Sequence, residues 1–93
     1  MTNQDIKNKI APILVSAGIR KASVFGSVAN NTATEDSDVD VVVEMPRPYS
    51  LFMFLDIRDK LQDALGRKVD LIEYSTFKPI VREHAMRNAV SIL

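Results

Sequence analysis

The spacing of apolar residues alternates along this chain between a helical period and short continuous runs, and this alternation limits the fold more than any other feature. Residues 3–17 have helical spacing. A short apolar segment at 22–25 and a β-branched run at 39–43 each predict a strand, and residues 68–74 predict a third. Helical spacing returns after the second run and again over residues 80–92. The sequence therefore predicts an α/β (α+β) fold, with one small mixed sheet of three strands and flanking helices.

Cap residues set the limits of the first predicted helix. Thr2 is a good N-cap, with Asp5 three residues later, and Gly18 suits the C-terminal end. Pro12 lies inside this segment, lacks a backbone donor and clashes with the preceding turn, so we expect the helix to kink or to begin late.

The second predicted helix begins after Ser50 and runs to about Leu65, with Gly66 after its end. Its predicted inward stripe is apolar at Leu51, Phe54, Leu55, Leu61 and Leu65. Pro79 suits the first position of the last helix. The 93 residues predict a single domain, residues 1–93.

Charge and composition exclude several function classes. Twelve basic and twelve acidic residues leave no net charge, so no basic face is expected for direct nucleic-acid binding. The absence of cysteine excludes disulfides and thiolate metal sites, and His84 alone cannot build a zinc site. We see no signal peptide, and no apolar run approaches the roughly 18–20 residues that span a bilayer. We therefore expect a cytoplasmic protein without membrane contact.

Three aspartates are the strongest candidates for chemistry. Asp38 and Asp40 lie two residues apart at the start of the second predicted strand, so both should project from one face, with Cα atoms about 6.5–7 Å apart. Asp70 lies between Val69 and Leu71 on the third strand and should face the same open side. Magnesium prefers such hard oxygen ligands and usually takes one or two carboxylates with substrate phosphates. This pattern predicts a metal–triphosphate site.

A glycine–serine pair precedes the aspartates by ten residues. Gly26 lacks a Cβ and can let the backbone approach a phosphate, and Ser27 offers a hydroxyl and a backbone N–H. Ser37, just before Asp38, is a further nucleotide-binding candidate. Alone, Gly-Ser is a common turn, and an isolated strand aspartate is usually just exposed. The combination carries the prediction, because three carboxylates on one face destabilise a fold unless a cation binds them.

Gly26-Ser27, Asp38-Val39-Asp40 and Asp70 resemble the signature of the DNA polymerase β-like nucleotidyltransferase superfamily. The chain length and ten-residue spacer look like the minimal nucleotidyltransferases, which are commonly antitoxins encoded beside a HEPN-domain ribonuclease toxin. The resemblance implies that Gly26 and Ser27 hold ATP. It also implies that all three aspartates bind Mg²⁺, with Asp70 helping to activate an acceptor hydroxyl. AMP would pass to a tyrosine of the partner toxin.

The chain departs from the family pattern at Asn30 and Asn31, where relatives often carry Arg-Gly. Loss of a charge-assisted phosphate contact costs roughly 1.5–3 kcal/mol, so weaker nucleotide binding is expected. Two other functions stay open. The chain could neutralise a toxin by binding alone, since Phe52 and Met53 add apolar surface beyond one buried helix face. It could also modify a small molecule or RNA, by analogy of fold.

Overall fold

The computed structural model describes residues 2–25, 38–76 and 89–93. Its elements in chain order are α1 (Asn3–Ser16), β1 (Ala22–Phe25), β2 (Val39–Val43), α2 (Leu51–Leu65), β3 (Val69–Glu73), a 3-10 helix (Tyr74–Thr76) and β4 (Val90–Ser91). This order confirms the predicted α/β class. The helical turn predicted within residues 26–37 lies outside the described residues.

The strands form one mixed sheet with the order β3-β2-β1-β4. β2 is parallel to β3, and β1 is antiparallel to both β2 and β4. Parallel strands begin at the same edge of a sheet, and an antiparallel neighbour ends there. The start of β2, the start of β3 and the end of β1 therefore lie together.

Helix α1 begins as its cap residues predict. The Thr2 hydroxyl accepts the Asp5 N–H at 3.1 Å, and the Asp5 carboxylate accepts the Thr2 N–H at 3.0 Å. The expected late start at Pro12 is wrong, because the helix already runs from Asn3. Pro12 and Asn8, whose carbonyl would otherwise accept the missing N–H, are both exposed, so water can satisfy that carbonyl. Gly18 follows the helix with φ of +80°.

Helix α2 also has its predicted limits. The Ser50 hydroxyl accepts the Met53 N–H at 3.1 Å, and Gly66 ends the helix with φ of +65°. The predicted inward stripe is wrong at its first residue, because the buried residues are Ile57, Leu61 and Leu65 whereas Leu51 is 66% exposed. Leu51 is the first residue of α2 and precedes Ile57, the first buried residue of the helix, by six positions.

The C-terminal prediction fails at its end. Residues 77–88, which carry most of the predicted last helix, lie outside the described residues. Val90–Ser91 form β4 rather than helix, paired with β1 at Val24↔Val90 and Ser23↔Ser91. The open edge of β1 supplies backbone partners that a helix here would leave unused, and Ile92 becomes buried at 2% exposure. The sheet therefore has four strands in the described part of the chain instead of the three predicted.

Alternate residues of the strands face α1 and α2 and form the core. The buried cluster combines three residues of α1, three of α2 and the inward positions of the strands, namely Ile6, Ile10, Leu14, Ile57, Leu61, Leu65, Ala22, Val24, Val39, Val41, Val43, Val69 and Leu71, closed by Ile19, Met45 and Ile92. The intervening strand residues, among them Asp40 and Asp70, point to the other face. Neither helix in the described ranges is long and apolar enough to cross a membrane.

Candidate functional site

Two of the predicted aspartates are direct neighbours across the parallel strand pair. Asp40 of β2 is the register partner of Asp70 of β3. Neighbouring strands lie about 4.8 Å apart, and register partners point to the same face. The flanking residues Val39, Val41 and Val69 are buried in the core, so both carboxylates project from the face opposite the helices. The alternation argument from the sequence is confirmed for this pair.

The third aspartate lies at the edge where both strands begin. Asp38 directly precedes β2, and its carboxylate Oδ2 is 4.0 Å from the Nζ of Lys68, the residue that precedes β3. The Val39 N–H donates to the Lys68 carbonyl at 3.0 Å, which extends the ladder to this edge. The carboxylates of Asp38, Asp40 and Asp70 therefore line one end of the sheet.

Burial and charge both act on the central carboxylate. Asp40 is half-buried, whereas Asp38 and Asp70 are exposed. Burial raises the pKa of Asp40, and the negative charges of Asp70 and Asp38 raise that pKa further. Within the described residues, no hydrogen-bond donor faces the Asp40 or Asp70 carboxylate. Apart from the exposed Lys68 ammonium beside Asp38, the described part of the fold gives these like charges no compensation, and a cation relieves such an environment.

The aspartates do not form a complete metal cage as they stand. The part of the chain that the structure describes contains no group of three or more His, Cys, Asp or Glu placed to hold a metal ion. A zinc-type site, closed by protein ligands, does not fit this geometry. A magnesium ion fits it better, because Mg²⁺ usually binds one or two carboxylates and takes its remaining ligands from water and substrate phosphates.

The predicted nucleotide-binding residues Gly26, Ser27 and Ser37 lie outside the described residues. What the structure does give is the position of Phe25, the residue bonded to Gly26. Phe25 is the register partner of Asp40, so β1 ends beside the carboxylates. His84 and the departures from the family pattern at Asn30 and Asn31 also lie outside the described ranges.

Two charged residues with defined roles in the structure had been missed from the sequence. Lys68 pairs with Asp38. In the sequence, its position two residues before Asp70 in the predicted strand 68–74 would have indicated that both side chains lie on one face. Glu73 lies two residues after Leu71 and four after Val69, so the two-residue period of a strand places its carboxylate on the same buried face. Its side chain is only 4% exposed.

Glu73 is fully partnered at the far end of the sheet. Its carboxylate accepts the N–H groups of Met45 at 2.6 Å and Ser75 at 2.8 Å, and the Arg47 guanidinium lies 3.7 Å away. Burial raises the pKa of Glu73, but these donors and the Arg47 charge outweigh burial and leave that pKa below its usual value. Glu73 ties the segments after β2 and β3 together and is structural, unlike the three aspartates.

The family model and the most similar relatives agree on one protein family. The family described as "Polymerase beta, Nucleotidyltransferase" matches residues 8–93. A Methanocaldococcus jannaschii protein named "Putative protein adenylyltransferase" is 37% identical over 93 residues, which is 100% of both chains. The "Protein adenylyltransferase MntA" of Thermococcus cleftensis is 36% identical over 75 residues, covering 81% of this chain and 76% of that protein.

Solved structures show the same fold. A structure named "putative minimal nucleotidyltransferase" superposes with a TM-score of 0.83 at 29% identity, covering 94% of this chain and 89% of that one. A chain from a toxin–antitoxin structure with AMP-PNP gives a TM-score of 0.81 at 21% identity, with coverage of 94% and 72%. A chain from a tri-AMPylated Shewanella oneidensis HEPN toxin in complex with MNT antitoxin gives 0.74 at 20% identity, with coverage of 97% and 71%. At the two lower identities, the likeness shows the fold alone.

Proposed function

Because the chain belongs to the polymerase beta nucleotidyltransferase family, we propose that it is a protein adenylyltransferase that modifies a HEPN-domain toxin. It transfers AMP from Mg-ATP to a tyrosine hydroxyl of that toxin in the cytoplasm and so acts as the antitoxin of the pair. The observation that carries the proposal is the adjacent placement of Asp40 and Asp70 with Asp38 at one sheet edge. Relatives named as protein adenylyltransferases support the reaction class, and the named HEPN complex supports the partner.

Each aspartate has a part in this reaction. Asp38 and Asp40 hold the magnesium–triphosphate, and Mg²⁺, when bound, offsets the negative charge that develops on the phosphates. Gly26, Ser27 and Ser37 are the proposed nucleotide-binding residues on the chain that joins β1 to β2. Asp70 joins the metal site and takes the proton of the acceptor hydroxyl.

The transfer balances without a further reactant. The tyrosine oxygen forms a bond to the α-phosphorus, and the bond between that phosphorus and the oxygen bridging to the β-phosphate breaks. Pyrophosphate leaves with the electron pair of the broken bond. The hydroxyl proton passes to Asp70, whose exposed position on β3 leaves room for an acceptor side chain to approach from solvent. The products are the AMP-modified partner and pyrophosphate.

Asp38→Asn and Asp40→Asn test this reaction, because each removes a charge while keeping the side-chain shape. We expect both variants to abolish AMP transfer to a co-expressed HEPN partner, read as the loss of one or more adenylyl groups from the partner's intact mass. Asp63→Asn, on the exposed surface of α2, is the matched control and should transfer normally. Transfer at the wild-type rate by both site variants would show that the metal mechanism is wrong.

A second function is favoured by an apolar surface distant from the aspartates. Leu51, Phe52 and Met53, in the first turn of α2, are 66%, 85% and 44% exposed. Met53 also lines a groove of about 420 Å³ between α1 and α2, beside Pro12 and Ile13. The apolar first turn of α2 is thus exposed, and this surface suits non-catalytic binding of a toxin.

The two functions are separated by one neutralisation experiment. In the transfer mechanism, a small amount of the wild-type chain inactivates excess toxin, and a variant with Asp38, Asp40 and Asp70 all changed to Asn does not. In the binding mechanism, the triple variant neutralises the toxin at a one-to-one ratio. Phe52→Ser should then weaken neutralisation while leaving the aspartates intact.

A further inference from the structure

Lys68 is a basic residue at the carboxylate edge of the sheet. It directly precedes β3 and lies two residues before Asp70. Its Nζ is 4.0 Å from Oδ2 of Asp38. Lys68 is therefore within reach of the space that a metal and its phosphates would occupy beside Asp38.

We propose that Lys68 is a phosphate-binding residue of this site, whose ammonium pairs with Asp38 in this structure and contacts the triphosphate once metal–nucleotide binds. The proposal rests on the proposed function, because it needs a triphosphate at the aspartates. It assigns a residue that binds substrate and also competes with the metal.

The ion pair with Asp38 is too exposed to be mainly structural. The Lys68 side chain is 76% exposed and that of Asp38 is 49% exposed, and such surface pairs contribute little to stability. Glu73 shows the contrast, because its buried carboxylate is held by two backbone N–H groups. A long, flexible side chain with a single weak partner can move to a better anion at low cost.

Charge balance gives the reason for this movement. Three carboxylates and a triphosphate bring far more negative charge to one edge than a single Mg²⁺ neutralises. Within the described ranges, the three aspartates have one basic partner, which is Lys68. Asp38 would hold the metal, and the Lys68 ammonium would then be available to the phosphates.

Lys68→Met tests the proposal because it keeps the unbranched stem and removes the charge. Two titrations are needed, one with Mn²⁺ alone as a probe for the carboxylates and one with Mg²⁺ and AMP-PNP. We expect the variant to bind Mg–AMP-PNP about tenfold more weakly, the range for a charge-assisted contact. We expect it to bind Mn²⁺ alone up to about fivefold more tightly, because a competing cation is gone.

Two control variants show whether the change in binding comes from the charge of Lys68. Lys60→Met removes a lysine of similar exposure that pairs with Asp56 on α2, and it should change neither titration. Lys68→Arg should keep most of the nucleotide affinity. Thermal melting confirms that each variant is folded.

The outcomes separate this proposal from the proposed function. Metal-dependent nucleotide binding that is the same in the wild type and in Lys68→Met overturns the role of Lys68 and leaves the proposed function standing. Weaker binding of both Mn²⁺ and nucleotide overturns it too, because Lys68 would then only orient Asp38. If the wild type binds Mn²⁺ but no nucleotide, the proposed function fails, and Lys68 loses its phosphate-binding role with it.

Discussion

Asp40→Asn should make the metal-free protein more stable while it abolishes transfer. Asp40 is half-buried, pairs in register with Asp70 and follows Asp38 by two residues. Two like charges about 4 Å apart repel by about 1 kcal/mol in water and by about 4 kcal/mol at an effective dielectric constant near 20. Because Asp38 and Asp70 are exposed, the lower value applies, and we expect a gain of about 1 kcal/mol in the free energy of unfolding.

Thermal unfolding in EDTA measures this gain. For a domain of 60–100 residues, about 1 kcal/mol raises Tm by roughly 4–8 °C. The matched control Asp63→Asn removes an exposed carboxylate of α2 and should change stability by less than about 0.5 kcal/mol. Adding Mg²⁺ should raise Tm of the wild type more than that of Asp40→Asn. An Asp40→Asn variant that melts at or below the wild type in EDTA would refute the charge-repulsion argument.

The pH dependence of the same variant gives an independent check. The pKa of Asp40 is raised in the folded chain above its usual value of 3.8, first by burial and then by Asp70 and Asp38. Between those two pKa values the folded state binds more protons than the unfolded state, so the free energy of unfolding falls as pH rises. The stability advantage of Asp40→Asn should therefore be small near about pH 3.5 and grow towards neutral pH, which denaturant titrations at several pH values can measure.

Two further predictions concern the scaffold. Glu73→Ala leaves the buried Met45 N–H and the Ser75 N–H without their acceptor and should cost about 3 kcal/mol at neutral pH, with a smaller loss for Glu73→Gln, measured by urea unfolding. Because the pKa of Glu73 is lowered, its stabilisation is present above its usual value and lost as pH falls, so equal wild-type and Glu73→Ala stabilities at neutral pH would contradict this role. Leu61→Ala, at a fully buried position of α2, should cost about 2–5 kcal/mol in the same assay, whereas Leu51→Ala, 66% exposed, should cost less than about 1 kcal/mol.

Features that depend on local chemistry could be predicted from the sequence. Thr2 and Ser50 cap their helices through side-chain oxygens only three residues from the N–H groups that they accept. The strand Ala22–Phe25 follows from a short apolar segment that Gly26 ends, and Val39–Val43 follows from a β-branched run that ends before Pro46. None of these features requires a distant part of the chain, so pattern alone was enough.

Features that depend on distant partners could not be predicted. Residues 80–92 have the apolar spacing of a helix. Val90–Ser91 nevertheless forms a strand, because it pairs with the edge of β1, which lies more than sixty residues earlier in the chain. Leu51 belongs to an apolar run, but it is 66% exposed, because burial depends on which other elements reach the first turn of α2. The burial of Glu73 likewise depends on Met45, which the sequence separates from it by 28 residues.

The candidate site also combines features that a local pattern predicts with features that depend on distant residues. The common face of Asp40 and Asp70 follows from the two-residue period of strands and from the buried valines beside them. Their direct pairing needs the parallel register of β2 and β3, which no local pattern encodes. The partner of Lys68 was missed for the same reason, because Asp38 lies 30 residues earlier in the chain.

The two ends of this sheet handle carboxylates in opposite ways. At one end, Glu73 is buried, and two backbone N–H groups and a guanidinium lower its pKa. At the other, Asp40 and Asp70 lie side by side, no donor faces them from the described residues, and burial and like charge raise the pKa of Asp40. The same small fold thus supplies partners where a carboxylate serves structure. The described residues give Asp40 and Asp70 no such donor at the start of β2 and β3, which is unfavourable for the protein alone, and under the proposed function a bound cation and its phosphates would recover that free energy.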